Sequence, residues 1–297
     1  MAEQPAFDRE FDPRYGEPVS VAPGIRRVTA NNAGPFTFLG TNTYVVGRGR
    51  VAIIDPGPAD AAHLEAVLAA VAGETPTHIV LTHTHHDHVG NLAALAAATG
   101  AEIVGCAADG GDEPGGPETG GGAYRPDRVL AAGERIHGPG WTLEAVPTPG
   151  HAPEHLAFAL PQASALFSGD HVMAWSTSVV VPPRGSMRAY RRSLADLLGR
   201  GEAIYFPGHG PPVRDPQAYL RQLIAHRDAR ETAILERLAA APQRIPDIVG
   251  ALYPGLDPRL VRGAGMSVLA HLVELTDRGR VLADPAEEPL AALFRMA

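Results

Sequence analysis

The chain has 297 residues, of which 45% are hydrophobic and 20% are charged, and its formal net charge is −8. This length is sufficient for one large domain and a smaller one. The net negative charge argues against general attachment to nucleic acid or to an anionic membrane surface, although a local basic groove stays open. The single cysteine, Cys106, excludes an intrachain disulfide, and no motif around it indicates a nucleophile.

The sequence shows neither a targeting signal nor a membrane span. Residues 1–13 are polar and acidic and contain no apolar stretch of signal-peptide length. No apolar run elsewhere reaches the roughly 20 residues that a bilayer-spanning helix needs. The sequence therefore predicts a cytoplasmic protein without a membrane partner.

Short strands, turns and helices are predicted to alternate through the first part of the chain. Residues 1–18 contain several Pro, Asp and Glu residues and predict a loose arm. Strand-like runs separated by Gly and Asn turns follow at 19–30, 36–47 and 51–54. The next segment, 60–71, predicts an amphipathic helix whose apolar stripe is formed by Leu64, Val67, Leu68 and Val71.

Strands dominate the middle of the chain. After a helix at 91–99 they are predicted at 102–105, around 129–136, and at 141–146, 156–160, 165–167 and 203–206. A helix is predicted at 188–198. Residues 109–122 hold many Gly and almost no apolar residue, which indicates a surface insertion.

The pattern becomes helical after Pro216. Helices are predicted at 217–240, 246–252 and 258–278, and a possible strand follows at 279–281. Their apolar positions are sufficient for a small core of their own. Three helices and a terminal strand predict a winged-helix-like module over residues 216–297.

Four metal-binding side chains lie within six residues directly after the apolar run Ile79–Leu81. They stand where a strand ends and a helix begins, which is where α/β folds place their sites. Imidazole and carboxylate groups in such a cluster suit Zn, Fe or Mn, whereas a solvated His-rich turn is the alternative. The cluster consists of His83, His85, Asp87 and His88.

Three further candidates follow later in the chain, each just after a Gly near a predicted strand end. They are His151, Asp170 and His209. Five His and two Asp are too many for one tetrahedral metal ion and suit two. Since a carboxylate can bridge two cations, Asp170 is the candidate for the bridge.

This ordered pattern resembles the metallo-β-lactamase-fold hydrolases over residues 19–215. The resemblance implies an αββα sandwich with two divalent metal ions, Asp170 and a hydroxide bridging them. One ion would be bound by His83, His85 and His151, and the other by Asp87, His88 and His209. Asp55, at the end of the third strand, matches the family's acidic residue that supports the ligands, and a loop Asp without a role is the alternative.

Two such cations lower the pKa of a shared water towards neutrality, so that hydroxide can attack a carbonyl carbon or a phosphorus atom. No Ser or Cys nucleophile is needed, and Ser168 lacks the Gly-x-Ser-x-Gly context. Asp87 is a candidate proton shuttle as well as a ligand. Zinc is the first choice of metal, with Fe or Mn as alternatives.

The chain resembles most closely the lactamase-beta-like endoribonuclease branch of these hydrolases. Three features carry this resemblance: the strand Asn42-Thr43-Tyr44, the loop Pro207-Gly208-His209-Gly210-Pro211, and a winged-helix-like tail that begins with His226-Arg227-Asp228-Ala229-Arg230-Glu231. The substrate would then be single-stranded RNA or a small-molecule ester or thioester. In the tail, Arg alternates with Asp and Glu, so packing or homodimer formation is an alternative to RNA binding.

Two other functions stay open. A glyoxalase II-like thioesterase, of the hydroxyacylglutathione hydrolase type, shares the ligand set, but its glutathione site often uses Lys and this chain contains none. A metal-containing DNA-binding regulator acting through the tail is the alternative from another class. True β-lactamases lack the bridging carboxylate, so β-lactamase activity is not favoured.

The segment after Asp170 is a candidate substrate entrance, formed by Trp175, Ser176 and Thr177. Trp175 would stack on a base or an acyl group, and a half-buried core position is the alternative. Among the remaining histidines, His155 is interpreted as a core or surface residue, and support of the His151 loop is the alternative. His171 directly follows Asp170, so its side chain is expected to point away from the site. His63 lacks motif context and is interpreted as structural or exposed.

Overall fold

The structure is a computed structural model, and it describes residues 5–107, 125–284 and 286–297. The predicted Gly-rich insertion at 109–122 lies outside the described residues.

The first sheet is built from the amino-terminal part of the chain. Within the described residues it has seven strands in sequence order: β1 (Val19–Ala22), β2 (Ile25–Thr29), β3 (Asn42–Arg48), β4 (Arg50–Ile54), β5 (Thr75–Leu81), β6 (Glu102–Gly105) and β7 (Arg128–Val129). The first four are antiparallel, whereas the pairs from β4 to β7 are parallel. Helices connect β4 to β5 and β5 to β6, as the crossover connections between parallel strands usually do.

The second sheet packs against the first. In the described chain it has five strands: β8 (Arg135–Gly138), β9 (Trp141–Pro147), β10 (Leu156–Leu160), β11 (Ala165–Gly169) and β12 (Ile204–Pro207). Side chains alternate between its faces with the period of two that strands impose. Leu156, Phe158 and Leu160 face the core between the sheets, whereas Ala157 and Ala159 face the opposite side.

Helices cover both outer faces, which completes an αββα sandwich. The first sheet is covered by α1 (Ala61–Ala70) and α3 (Leu92–Thr99), and the short α2 (His86–Val89) lies between them in the chain. The second sheet is covered by α4 (Met187–Leu198) and the first half of α5 (Pro216–Ala240). The predicted fold class is confirmed.

The second half of α5 belongs to a smaller core. It packs there with α6 (Ile245–Leu252) and α7 (Val261–Asp277) and with a sheet formed by β13 (Gln243–Arg244), β14 (Val281–Asp284) and β15 (Leu293–Met296). Helices beside a small antiparallel sheet form a winged-helix module. Sequence patterning found the helices but predicted only one strand, because β13 is two residues long and β15 is identified only by its pairing partners.

Two of the predicted strands are wrong in their extent. The run 19–30 is a hairpin, because Gly24 turns the chain with φ +73° between β1 and β2. The run 36–47 is a strand only from Asn42, and a tight turn occupies its first half. Gly40 in that turn has φ +127°, and a Cβ there would lie 1.9 Å from the Ala30 carbonyl oxygen, so only glycine fits.

None of the helices in the described ranges combines the length and the apolar composition that crossing a membrane requires.

Candidate metal centre

The seven predicted ligands follow strands that all end at one edge of the sandwich. β11 and β12 are parallel. β9 runs in the same direction as β11, because both are antiparallel to β10. The strands β9, β11 and β12 therefore end on the same side. β5 reaches that edge from the other sheet, where Leu156 N donates to Thr82 O at 2.8 Å. The loops carry His83, His85, Asp87 and His88 after β5, His151 after β9, Asp170 after β11 and His209 after β12.

The structure brings all seven side chains together in two adjoining groups. We call His83, His85 and His151 the three-histidine half. Nδ1 of His85 lies 3.0 Å from Nε2 of His83 and 2.9 Å from Nε2 of His151. Nitrogens bound tetrahedrally to one zinc ion would lie about 3.3 Å apart. Both distances from His85 are therefore within a few tenths of an ångström of the spacing that one ion requires.

Asp87, His88 and His209 form the second group, which we call the carboxylate half. Oδ2 of Asp87 lies 3.2 Å from Nε2 of His209 and 3.5 Å from Nε2 of His88.

Asp170 lies between the two halves. Its Oδ2 is 3.7 Å from Nε2 of His151 and 3.3 Å from Nε2 of His209, while its Oδ1 is 3.5 Å from Nε2 of His88. One carboxylate thus contacts both groups, which is the arrangement expected of a bridging ligand.

Hydrogen bonds behind the rings orient the ligand atoms. Asp55 accepts from Nδ1 of His88 at 2.9 Å and from Oγ1 of Thr82 at 2.8 Å. Because the Thr82 hydroxyl donates to Asp55, it accepts the Nδ1 proton of His83, 2.9 Å away. Both imidazoles therefore direct Nε2 at the centre, as metal-binding histidines do. Asp55 therefore lies behind Thr82 and His88, and the support of metal ligands that the resemblance implied stays a prediction.

The other two Nε2 ligands are oriented by backbone carbonyls. Nδ1 of His151 donates to Val179 O at 2.6 Å, and Nδ1 of His209 donates to Gly40 O at 3.3 Å. Asn42 fixes the loop of His209, since its amide donates to the carbonyl oxygens of Pro207 and Gly210 at 3.1 and 3.0 Å. The Asn-Thr-Tyr strand therefore has a structural role at the site.

Gly208 permits the close approach of these loops. A Cβ at this position would lie 2.5 Å from Oδ1 of Asp170 and 2.7 Å from Cε1 of His88. Any side chain here would displace the two ligands from each other.

The two halves have different electrostatic character. Burial and the neighbouring His151 lower the pKa of His85 to about 3. Burial also lowers the pKa of His209, but the carboxylates of Asp170 and Asp87 outweigh it and raise the value to about 9. Burial raises the pKa of Asp170, yet His209 and His88 outweigh that effect and hold it well below the usual range.

The residues present fit divalent cations. Nε2 of His88 and Oδ1 of Asp170 are buried and have no hydrogen-bond partner, although leaving such groups unpaired costs free energy. Both atoms face the space between the halves. A donor set of imidazole and carboxylate suits Zn, Fe or Mn alike.

Two histidines close to the centre carried no clear signal in the sequence. The backbone N–H of Asp170 donates to Nε2 of His155 at 3.1 Å, and Nδ1 of His155 donates to the Thr148 hydroxyl at 2.8 Å. His155 therefore positions Asp170. Its place four residues after His151 was the available hint. His171 is buried with its ring 4.7 Å from that of Tyr190, as a core residue.

The predicted entrance segment lies beside the centre. Trp175 stacks on Phe38 with ring centroids 4.9 Å apart, and a Cβ at Gly210 would lie 2.8 Å from its Cδ1. Trp175, Ser176 and Thr177 line a cavity of about 260 Å³ between the sandwich and the winged-helix module. A second cavity of about 460 Å³ adjoins it at Trp175.

Comparison with known proteins identifies this architecture. The profile of the Metallo-beta-lactamase superfamily matches residues 36–209, more than half of the chain, and a Beta-lactamase associated winged helix domain matches residues 245–287. The chain therefore belongs to the metallo-beta-lactamase superfamily and is a metal-dependent hydrolase.

Similar curated proteins come mainly from fungi. The Lactamase-like protein nscB of Trichophyton rubrum is 32% identical, and the match covers 86% of this chain and 80% of that protein. The Atrochrysone carboxyl ACP thioesterase of Aspergillus terreus is 29% identical over 79% of this chain and 71% of that protein. The Beta-lactamase-like protein 2 homolog of Drosophila melanogaster is 29% identical over 89% and 94% of the two chains.

Solved structures share the whole fold. A metallo-beta-lactamase family protein from Thermus thermophilus superposes with a TM-score of 0.77 at 23% identity, covering 94% of this chain and all of that one. A beta-lactamase domain protein from Burkholderia ambifaria gives the same TM-score at 22% identity, covering 98% and 97%. At this identity the likeness supports the fold.

Proposed function

We propose that this chain binds two divalent metal ions, zinc being the first choice, and hydrolyses acyl thioesters. The observation that carries the proposal is Asp170, whose carboxylate lies within 3.7 Å of a histidine nitrogen in both halves. The three-histidine half would bind one ion, the carboxylate half the other, and Asp170 would contact both. When bound, two such ions lower the pKa of a water towards neutrality and take up negative charge that develops on the substrate.

Asp87 is placed to move a proton between the centre and solvent. Its side chain is 25% exposed, whereas those of His88 and His209 are almost completely buried. Its Oδ2 accepts from the Thr41 hydroxyl at 3.0 Å, which holds the carboxylate in place. Asp87 therefore combines contact with the centre and access to water, as a general acid–base requires.

The cavity beside the centre favours an acyl group. Its wall at Trp175 is aromatic and stacked, and it continues over the apolar side chains of Met173, Leu256 and Leu260. The same cavity is also lined by His226, Arg227 and Arg230. Its apolar wall therefore binds through burial, while the basic side chains lie opposite polar groups of a ligand. The resemblance to a curated ACP thioesterase supports the thioester class. Both glutathione and coenzyme A thioesters belong to it, so the glyoxalase II-like function remains within the proposal.

The charges of the winged-helix module give less support to RNA as substrate. Arg259 lies against Asp257, Arg278 against Glu231 and Arg295 against Asp284. Paired arginines do not form the basic stripe that nucleic-acid binding requires. The endoribonuclease branch stays a prediction that the experiment below tests, and a homodimer through this module stays a prediction as well.

A substrate panel tests the proposal on metal-reconstituted protein. It contains S-lactoylglutathione, an acyl-CoA, an acyl-homoserine lactone, a chromogenic β-lactam, bis-p-nitrophenyl phosphate and single-stranded RNA. We expect thioester turnover that falls on the order of 10³-fold in Asp170→Asn, as expected when charge stabilisation is lost. The matched control is Asp196→Asn, an exposed aspartate on α4, which should keep the wild-type rate.

Other outcomes would overturn the substrate class. Cleavage of RNA without thioester turnover would instead support the endoribonuclease function. Tight, sequence-dependent binding of duplex DNA without turnover of any substrate would identify a regulator. An unchanged rate in Asp170→Asn would place the activity outside this centre.

A further inference from the structure

Arg227 is an unusual residue in the middle of α5. It is only 3% exposed, and in the described part of the chain it has no carboxylate partner. Burying a guanidinium without a counter-ion costs free energy, so its position needs an explanation. Its Nη2 donates to the carbonyl oxygen of Ser178 at 2.5 Å, and its guanidinium lies over the ring of Tyr190, 5.1 Å from the centroid.

The first contact leads directly to a residue of the three-histidine half. Ser178 is followed by Val179, whose carbonyl oxygen accepts from Nδ1 of His151 at 2.6 Å. That hydrogen bond determines which ring nitrogen of His151 carries the proton and where Nε2 points. A shift of the peptide at Ser178 would therefore change the direction of Nε2.

The second contact leads to the same residue from the other side. The backbone of Gly150 packs on Tyr190 so closely that a Cβ at Gly150 would lie 2.4 Å from Cα of Tyr190. Ser186 N, at the start of the same helix, donates to Gly150 O at 2.9 Å. Tyr190 thus fixes the backbone next to His151, while Ser178 and Val179 fix its ring.

Helix α5 connects this arrangement to the winged-helix module. Tyr219 and Leu223, in its first half, pack in the sandwich core, and Ile234 and Leu238, in its second half, pack in the module core. Arg227 lies between these two sets. The position of the guanidinium therefore depends on both cores.

We propose that Arg227 is a positioning residue for His151, through which the winged-helix module stabilises the three-histidine half. The proposal rests on the proposed function, since it requires that this half binds a metal ion. It gives the module a role at the metal centre that needs no nucleic acid.

Arg230 provides a matched control, one turn further along α5. It is also stacked on a tyrosine, 4.4 Å from the ring centroid of Tyr253, and it donates to Leu252 O at 3.4 Å. Both partners of Arg230 belong to the module. Loss of Arg230 therefore removes a similar amount of packing without a link to His151.

The experiment measures metal binding in the full chain. Zinc affinity is determined by competition with a fluorescent chelator, and the absorption spectrum is recorded after loading with Co²⁺. We expect Arg227→Met to reduce the affinity for one of the two bound ions by about tenfold. This is the lower end of the loss in metal affinity when a residue that orients a ligand is replaced. The Co²⁺ spectrum should change, Arg227→Lys should recover part of the affinity, and Arg230→Met should bind as wild type.

The outcomes separate this inference from the proposed function. A wild-type protein that binds no metal refutes both. A wild-type protein that binds two ions, with Arg227→Met and Arg227→Lys unchanged, refutes the inference alone. If Arg227→Met and Arg230→Met reduce the affinity for both ions to the same extent, Arg227 has only a general structural role. If Arg227→Met does not fold, the metal affinities of Arg227→Lys and Arg230→Met decide whether Arg227 positions His151. A loss in Arg227→Lys alone would support that role, and an equal affinity would refute it.

Discussion

The two halves of the centre share Asp170 but differ in their electrostatic character. In the three-histidine half, burial and neighbouring imidazoles lower the pKa of His83 well below its usual range and that of His85 to about 3. In the carboxylate half, burial opposes protonation of His88, but Asp87 and Asp170 outweigh it and raise its pKa well above the usual value. Protonation is thus disfavoured at His83 and His85 and favoured at His88, where a cation would have to displace the proton.

This difference shows that one centre can orient its ligands in two ways. The rings of His83 and His151 are fixed by a hydroxyl and a backbone carbonyl, which are neutral acceptors. His88 is fixed by the carboxylate of Asp55. A carboxylate behind an imidazole makes its Nε2 more basic. The orientation of His88 therefore depends on a charged acceptor, whereas that of His83, His151 and His209 depends on neutral acceptors.

Removing one ligand from each half should produce the largest effects. We expect His85→Ala and His209→Ala each to reduce the metal content from two ions to one, because each leaves the other half intact. Turnover should fall on the order of 10³-fold in both variants, since charge stabilisation needs both ions. Elemental analysis of the dialysed proteins measures the stoichiometry. If either variant loses both ions, the halves are not separate sites and the comparison fails.

Asp55→Asn tests the dependence of the carboxylate half on charge. Asn keeps the side-chain shape and tolerates the backbone φ of +51° at this position, so the fold should be retained. The neutral amide is a weaker acceptor for Nδ1 of His88. We expect metal affinity in the carboxylate half to fall about 10- to 100-fold, with a much smaller change in the other half. Chelator competition on the loaded protein measures both constants. Equal losses in the two halves would contradict the distinction.

The convergence of the seven candidate ligands could be predicted because their chemistry is rare. Four histidine and aspartate side chains in six residues after an apolar strand have few other uses, and the glycines before His151 and His209 marked strand ends. The layers could be predicted from local periodicity, as in β10, where alternate residues face the two cores. Both signals come from neighbouring residues.

The supporting contacts could not be predicted, since they join distant segments through common residue types. Asn42 donates to Pro207 O, 165 residues away, and Arg227 donates to Ser178 O, 49 residues away. Thr82 and His155 have side chains that are frequent in ordinary cores and loops. Their roles follow from the distances to Asp55 and Asp170, which only the folded chain reveals.

Thr82→Val should have the smallest effect, and it tests whether the halves are linked through the hydrogen bonds behind them. The Thr82 hydroxyl donates to Asp55, which supports His88, and accepts from His83, so it belongs to both halves. Valine has the same shape but leaves Nδ1 of His83 unpaired and removes one of the three hydrogen bonds to Asp55. We expect the free energy of unfolding of the metal-free protein to fall by about 1–3 kcal/mol, as for a buried hydrogen bond to a charged group. Metal affinity should fall a few-fold in both halves. Urea denaturation and chelator competition measure the two effects, with Thr82→Ser, which keeps the hydroxyl, as the control. If metal affinity falls in one half only, Thr82 supports that half alone. The hydrogen bonds that orient the ligands would then not connect the two halves.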